Sequence, residues 1–170
     1  MQDNNYSVDI IRGYNPINDY VIDWIKPKIK GKYLDIGCNS GWLLTEVPDG
    51  SGIDASKKLI DLAKNKGCNA IWADATCLPF DNNTFDTAVL SCILEQCFDW
   101  KRVLSEAIRC AKVIIGTNPM PNSKWGVIAG NVKSVISPAQ MVNASLMLGC
   151  VMHTERMQHD RYYFEIKKNE

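Results

Sequence analysis

The chain of 170 residues has no excess of charge: 19 Lys and Arg are balanced by 19 Asp and Glu. A neutral chain offers no basic field to a nucleic-acid backbone or an anionic bilayer, so neither is expected as a partner. No apolar run approaches the ~20 residues that cross a membrane. The opening Met1-Gln2-Asp3-Asn4-Asn5 lacks the basic and apolar pattern of a signal peptide, and a cytoplasmic location is expected. Histidine is scarce. The seven cysteines, at 38, 68, 77, 92, 97, 110 and 150, contain no C-x-x-C pair. So poor a ligand set predicts no metal site, and the cysteines read as small buried hydrophobes in a reducing compartment. Internal repeats, linkers and low-complexity stretches are also missing. With 46% hydrophobic and 22% charged residues, the composition suits a single domain over residues 1–170 with its own core.

What is present centres on one stretch. Tyr33-Leu34-Asp35-Ile36 has buried-strand character, Gly37-Cys38-Asn39-Ser40-Gly41 is a small-residue turn, and a helix opens at Trp42-Leu43-Leu44. Strand, glycine turn and helix in that order form the nucleotide-binding corner of an open α/β sheet. Gly37 can take a backbone conformation closed to residues with a Cβ, and Gly41 permits close approach to the helix start. Asp35 selects the ligand's charge. A carboxylate in front of the turn repels a pyrophosphate and attracts an ammonium or a sulfonium.

The rest of the chain alternates strands with helices. Asn15-Pro16 predicts a helix start, with Ile17, Tyr20, Val21, Trp24 and Ile25 on one side and Pro27 as its stop. Strands are expected at 33–36, 51–54, 69–73, 85–91 and 112–117, and helices after Ser56 and Asp99. Such alternation predicts a parallel sheet with right-handed crossovers. Beyond Thr117 the pattern changes to a loop at 118–122 and a stretch without clear period at 123–136. Ser137-Pro138 then opens a last helix. Runs at 151–157 and 161–167, separated by little more than Gln158-His159-Asp160, predict a closing antiparallel hairpin.

Asp35-Ile36-Gly37-Cys38-Asn39-Ser40-Gly41 resembles the first motif of the class I S-adenosylmethionine-dependent methyltransferases, acid-x-Gly-x-Gly-x-Gly, with Asn39 in place of the middle glycine. Asn tolerates left-handed backbone, so the turn can survive. The resemblance covers residues 15–168 and implies an α/β, Rossmann-like three-layer sandwich. Its mostly parallel seven-stranded sheet ends in a C-terminal antiparallel hairpin. S-adenosyl-L-methionine is the implied cofactor. Besides Asp35, Gly37, Cys38, Asn39 and Gly41, the likeness places Asp54 on the ribose with Ala55 beside it. Asp74 and Ala75 fall at the adenine, and Ser91 under the methionine part. Ser91-Cys92-Ile93-Leu94-Glu95-Gln96, with Leu78-Pro79-Phe80 before the strand, resembles the quinone-biosynthesis sort of small-molecule methyltransferase, with Gln96 where that group has His. No Asn/Asp-Pro-Pro-aromatic follows the fourth strand, which argues against amino groups of nucleic-acid bases or glutamine as acceptors.

The implied activity is transfer of an activated methyl group to a small-molecule acceptor by in-line displacement. No side chain is assigned as an obligatory catalytic group; Glu95, His153 and His159 are the candidate bases if the acceptor must lose a proton. Tyr14, Glu95 and Trp125 are the candidate substrate contacts. With no insert for a substrate domain, cover is expected from the flexible or site-covering segment 1–14, from 118–136, or from a homodimer or partner subunit completing the pocket. Three other readings stand beside this one. The first is a non-catalytic S-adenosylmethionine-binding accessory or regulatory protein. The second is transfer of an aminopropyl group from the decarboxylated cofactor. The third, a nicotinamide-dependent oxidoreductase, fits Asp35, Asn39 and the terminal hairpin poorly.

Overall fold

A computed structural model describes residues 16–123, 132–158 and 160–169. Tyr14, Trp125, His159 and the segment 1–14 lie outside the described residues. In chain order the elements are α1 (Pro16–Ile25), β1 (Tyr33–Ile36), α2 (Trp42–Glu46), β2 (Ser51–Asp54), α3 (Lys57–Asn65), β3 (Ala70–Trp72) and β4 (Phe85–Ser91). There follow α4 (Trp100–Cys110), β5 (Ala111–Pro119), α5 (Pro138–Met147), β6 (Cys150–Gln158) and β7 (Arg161–Lys168).

The strands form one seven-stranded sheet in the order β3-β2-β1-β4-β5-β7-β6. The first five are parallel; β7 runs antiparallel to both β5 and β6. Strand order reverses at β1, whose neighbours are β2 on one side and β4 on the other. In open α/β sheets the crevice at such a reversal, beyond the carboxyl ends of the strands, is where ligands bind. The expected fold is the observed one.

Alternation along the strands explains the three layers. Leu34, Ala88, Leu90, Ile114, Phe164 and Ile166 pack with α4 and α5 through Val103, Leu104, Ala107, Met141 and Ala144. Tyr33, Val89, Ile115 and Tyr163 point the other way and pack with Val21, Trp24, Ile25, Ile60 and Ala63 of α1 and α3. Odd and even residues of one strand therefore feed two separate cores, which is why the strands read as continuous apolar runs.

Local signals act as their chemistry requires. The Ser56 hydroxyl accepts from Leu59 N, and Asp99 from Arg102 N. Ser137 and Gln140 form a reciprocal capping box at α5. Two expectations need correction. Tyr20 does not join the buried side of α1 but is 44% exposed, because Val21, Trp24 and Ile25 fill that face. Asn118 and Pro119 are not loop: pairing with Tyr162 and Arg161 carries β5 on to Pro119. His153 lies in the outermost strand β6 with an exposed side chain, away from the strand ends that build the site.

The loop between β3 and β4 is held by a carboxylate that the sequence did not single out. Glu106 of α4, only 4% exposed, accepts from Leu78 N at 2.8 Å and from Arg109 Nε and Nη2 at 3.0 and 2.8 Å. Arg109 in turn donates to the carbonyls of Phe80 and Leu78. Glu106→Ala is expected to cost about 2–3 kcal/mol in urea unfolding, since it strands a backbone N–H and a guanidinium together. A midpoint equal to wild type would show that the loop is held by its apolar contacts alone.

Candidate functional site

The turn after β1 is bolted to β2 first through the backbone. Gly37 N and Cys38 N both donate to Ile53 O, at 2.8 and 2.9 Å, and Gly41 N returns to Cys38 O at 2.9 Å. Gly37 and Gly41 sit at φ +79°, and a Cβ on Gly37 would come within 2.8 Å of the Ile93 side chain. Asn39 takes φ 53°, the left-handed conformation that its replacement of glycine demands. Its Oδ1 accepts from Ser40 N at 2.6 Å, a local bond that holds the strained turn. Lys66, at the end of α3, donates to Ser40 O at 2.8 Å and clamps the turn from outside.

Two carboxylates meet here. Asp54 ends β2 and receives two backbone donors, Asn39 N on Oδ2 at 2.9 Å and Ser56 N on Oδ1 at 2.8 Å. One bond fixes the turn and the other the start of α3, so the carboxylate is held rigidly while each oxygen keeps a lone pair for a ligand hydroxyl. Asp35 is 4% exposed, and among the described residues nothing donates to it. Burial, and then the Asp54 charge, push its carboxyl up to about 7. Burial also raises Asp54, against the three backbone N–H groups of Ser56, Asn39 and Ala55. Cys38 is a spacer. Its thiol is buried, and desolvation together with both carboxylates pushes it up, away from the reactive thiolate.

The remaining sequence-derived residues lie along the same edge. Ala73 N donates to Asp54 O at 3.1 Å, which brings the β3 end, with Asp74 and Ala75, beside β2. The Asp74 carboxylate is exposed, and its Oδ1 takes both the Thr76 N–H and hydroxyl at 2.8 Å. Trp72, half exposed, donates from Nε1 to Ala55 O at 2.8 Å and walls this end. An isolated Trp in a strand carried no sequence signal for that place. Ser91 ends β4, next to β1 in the sheet.

Glu95 differs most from expectation. Named as a candidate base and substrate contact, it is buried in a short 3-10 turn, Leu94–Gln96, with its carboxyl raised to about 7 by burial. Its backbone carbonyl accepts from Lys133 N and Ser134 N at 2.7 and 3.0 Å, so the segment after the described gap packs onto this turn. Cys92, at φ 54°, contacts Thr117 Oγ1 at 3.2 Å and the Arg161 guanidinium. Asn118 and Arg161 join Glu95 at this end and were not anticipated. Antiparallel pairing of β5 with β7 brings them there, and neither is near the other stations in sequence.

The Asp35–Asp54 carboxylate pair thus lies at the reversal of an α/β sheet, beneath a left-handed turn, the place where open-sheet domains bind ligands. Residues 34–113 match a family model described as a methyltransferase domain. The uncharacterized protein MJ1252 of Methanocaldococcus jannaschii is 34% identical over 111 residues, which cover 60% of this chain and 44% of that protein. The chain spans less than half the length of the curated relatives it matches. A SAM-dependent methyltransferase from Archaeoglobus fulgidus superposes with TM-score 0.76 at 18% identity, covering 95% of this chain and 97% of that one. Magnesium protoporphyrin IX methyltransferase of Synechocystis PCC 6803, solved with bound SAH, superposes at 0.70 and 16% identity, covering 99% and 90%. At those identities the superpositions speak for the fold. The chain has the fold of the S-adenosylmethionine-dependent methyltransferases it superposes on, and its residues 34–113 match the methyltransferase-domain model.

Proposed function

We propose that this chain transfers the methyl group of S-adenosylmethionine to a small-molecule acceptor held beyond the ends of β4 and β5. The observation that carries the reading is the buried Asp35 carboxylate beside Asp54, with no cation among its described partners. A sulfonium and an ammonium are what such a pair lacks. The residues present fit the cofactor. Asp54 would accept from the ribose hydroxyls, Gly37, Cys38, Asn39 and Gly41 would offer backbone, and Asp74 and Ala75 would border the adenine. When bound, the cofactor supplies a methyl group already activated on sulfur.

The protein's own part is then placement. Ser91, Cys92 and the Glu95 turn present the acceptor at the end of β4, and holding it in line is worth roughly 7–11 kcal/mol. No helix among the described residues is long and apolar enough to cross a membrane. The small-molecule reading is supported by the β4 end itself, Ser91-Cys92-Ile93-Leu94, which lacks the Pro-Pro-aromatic motif used on bases and glutamine.

Thermal unfolding with S-adenosylmethionine, S-adenosylhomocysteine or NAD tests the cofactor assignment. Ligand at about a hundred times its Kd adds about 2.7 kcal/mol, a rise of roughly 5–10 °C in a domain of this size. A rise with both adenosyl compounds and none with NAD is expected. A rise with NAD alone would overturn the proposal.

A further inference from the structure

The N–H groups of residues 37–41 are all committed within the protein. Gly37 and Cys38 donate to Ile53 O, Asn39 to Asp54 Oδ2, Ser40 to Asn39 Oδ1 and Gly41 to Cys38 O. These bonds fix the donor side of the turn and leave the Ser40 carbonyl to be held from elsewhere. Lys66 holds it. Its ammonium donates to Ser40 O at 2.8 Å and to Ser40 Oγ at 3.2 Å, across 26 residues of chain. Ser40 itself is buried, and a buried carbonyl needs a partner.

A surface lysine is ordinarily a solvated charge that holds nothing. Here the end of α3 is built to aim it. Lys66 N and Cys68 N both return to Ala63 O at 3.1 Å, Gly67 N returns to Lys64 O at 2.9 Å, and Gly67 turns the chain at φ +80°. This glycine-stopped end fixes the Lys66 backbone and sets Cys68 against the turn, with its Sγ 3.6 Å from Gly41 O. A Cβ on Gly41 would come within 2.7 Å of that sulfur. Among the described residues no carboxylate pairs with Lys66, so its charge is directed at the turn and not diverted to an ion pair. The other end of α3 reaches the same turn, because Ser56 N and Asn39 N share the Asp54 carboxylate. The helix thus grips Asn39 at its N–H and Ser40 at its carbonyl. Between those two bonds lies the left-handed backbone of Asn39, at φ 53°, which a residue with a Cβ adopts unwillingly.

We infer that Lys66 is a positioning residue for the cofactor: it acts through the Ser40 carbonyl to keep the Asn39 turn in its ligand-ready shape. A glycine in place of Asn39 would make that task unnecessary. The inference rests on the S-adenosylmethionine reading above, since the turn is where that cofactor is placed. The physical link is population. A turn that holds its shape for only a fraction of the time binds with an affinity lowered by that fraction.

The test uses the full chain, with calorimetry of S-adenosylhomocysteine binding and amide hydrogen exchange by NMR on the ligand-free protein. Lys66→Met is expected to weaken S-adenosylhomocysteine by about fivefold to tenfold. In the same variant the Asn39, Ser40 and Gly41 amides are expected to exchange faster by a similar factor, while those of β4 and β5 keep their rates. Lys66→Arg keeps a charged donor and is expected to restore affinity to within about threefold of wild type. In the Asn39→Gly background, Lys66→Met is expected to cost less than about twofold, because glycine takes the left-handed conformation unaided. A merely structural lysine would cost the same in both backgrounds. Wild-type affinity and exchange in Lys66→Met, an equal loss in the Asn39→Gly background, or Lys66→Arg no better than Lys66→Met would overturn the role. Where Asn39→Gly fails to fold, the comparison of the Met and Arg variants decides. Absence of any S-adenosylhomocysteine binding by the wild type would instead overturn the cofactor reading, and this role with it.

Discussion

Asp35→Asn is expected to stabilise the ligand-free protein at pH 8 by about 2–4 kcal/mol, and in the same variant to erode the preference for S-adenosylmethionine over S-adenosylhomocysteine. The cause is a carboxylate buried in β1 with no donor among the described residues. Burial first, and Asp54 second, raise it from its ordinary 3.8 to about 7. A folded-state value above the unfolded one means that the folded chain holds the proton more tightly. Asp35 therefore costs nothing below about pH 4, costs progressively more between pH 4 and 7, and costs its full amount above 7. Asparagine keeps the shape and removes the charge. The gap between variant and wild type should open across that window and be flat beyond it. Glu95, raised in the same direction, titrates in both proteins and cancels from the difference. The ligand half follows from the sulfonium. S-adenosylmethionine carries a positive charge at sulfur that S-adenosylhomocysteine lacks, so losing the Asp35 charge should cut the ratio of their affinities by about tenfold. Urea midpoints at several pH values, with calorimetry for both ligands, read the two effects. Parallel stability curves for variant and wild type from pH 4 to 8 would show that Asp35 is not the strained group described here.

Asp54→Ala is expected to lose both binding and stability, for one geometric reason. The carboxylate that would hold the ribose also receives Asn39 N and Ser56 N. Bonds to a charged acceptor are worth about 1.5–3 kcal/mol each. Some of that is returned, because the variant also discards a carboxylate held unfavourably by burial. A net loss of about 1–3 kcal/mol, or roughly 2–10 °C, is expected, with both adenosyl ligands weakened by at least about tenfold. Asp54→Asn should recover part of the stability by keeping an acceptor for one of the two backbone donors. Its ligand affinity should stay low if the ribose needs the full carboxylate. Unchanged affinity in Asp54→Ala would remove the ribose assignment, and unchanged stability would mean that Asn39 holds its left-handed turn unaided.

The two halves of the site differed in how far the sequence disclosed them. Asp35, Gly37, Asn39, Gly41 and Asp54 were legible because each acts within a few residues of a strand end. Glycine or asparagine at a left-handed position, an acid closing a strand and a serine capping a helix are all short-range signals. The acceptor side was legible only through Glu95, and even its burial was not. Tyr14 and Trp125, named as aromatic walls, lie outside the described residues. Asn118 fell in the loop expected at 118–122, and Arg161 was one of many surface-like charges. What joins them is the β5–β7 register, Asn118 opposite Tyr162 and Pro119 opposite Arg161.

By itself the sequence determined the fold class, the order of strands and helices along the chain and the turn after β1. Those properties follow from periodicity and backbone permissiveness, which need no knowledge of distant neighbours. Only the tertiary structure decided which polar groups are buried and where they meet. Cys92 and Arg161, in contact across the site, are 69 residues apart in the chain. Burial and pairing at that separation are properties of the assembled sheet, and no local pattern encodes them.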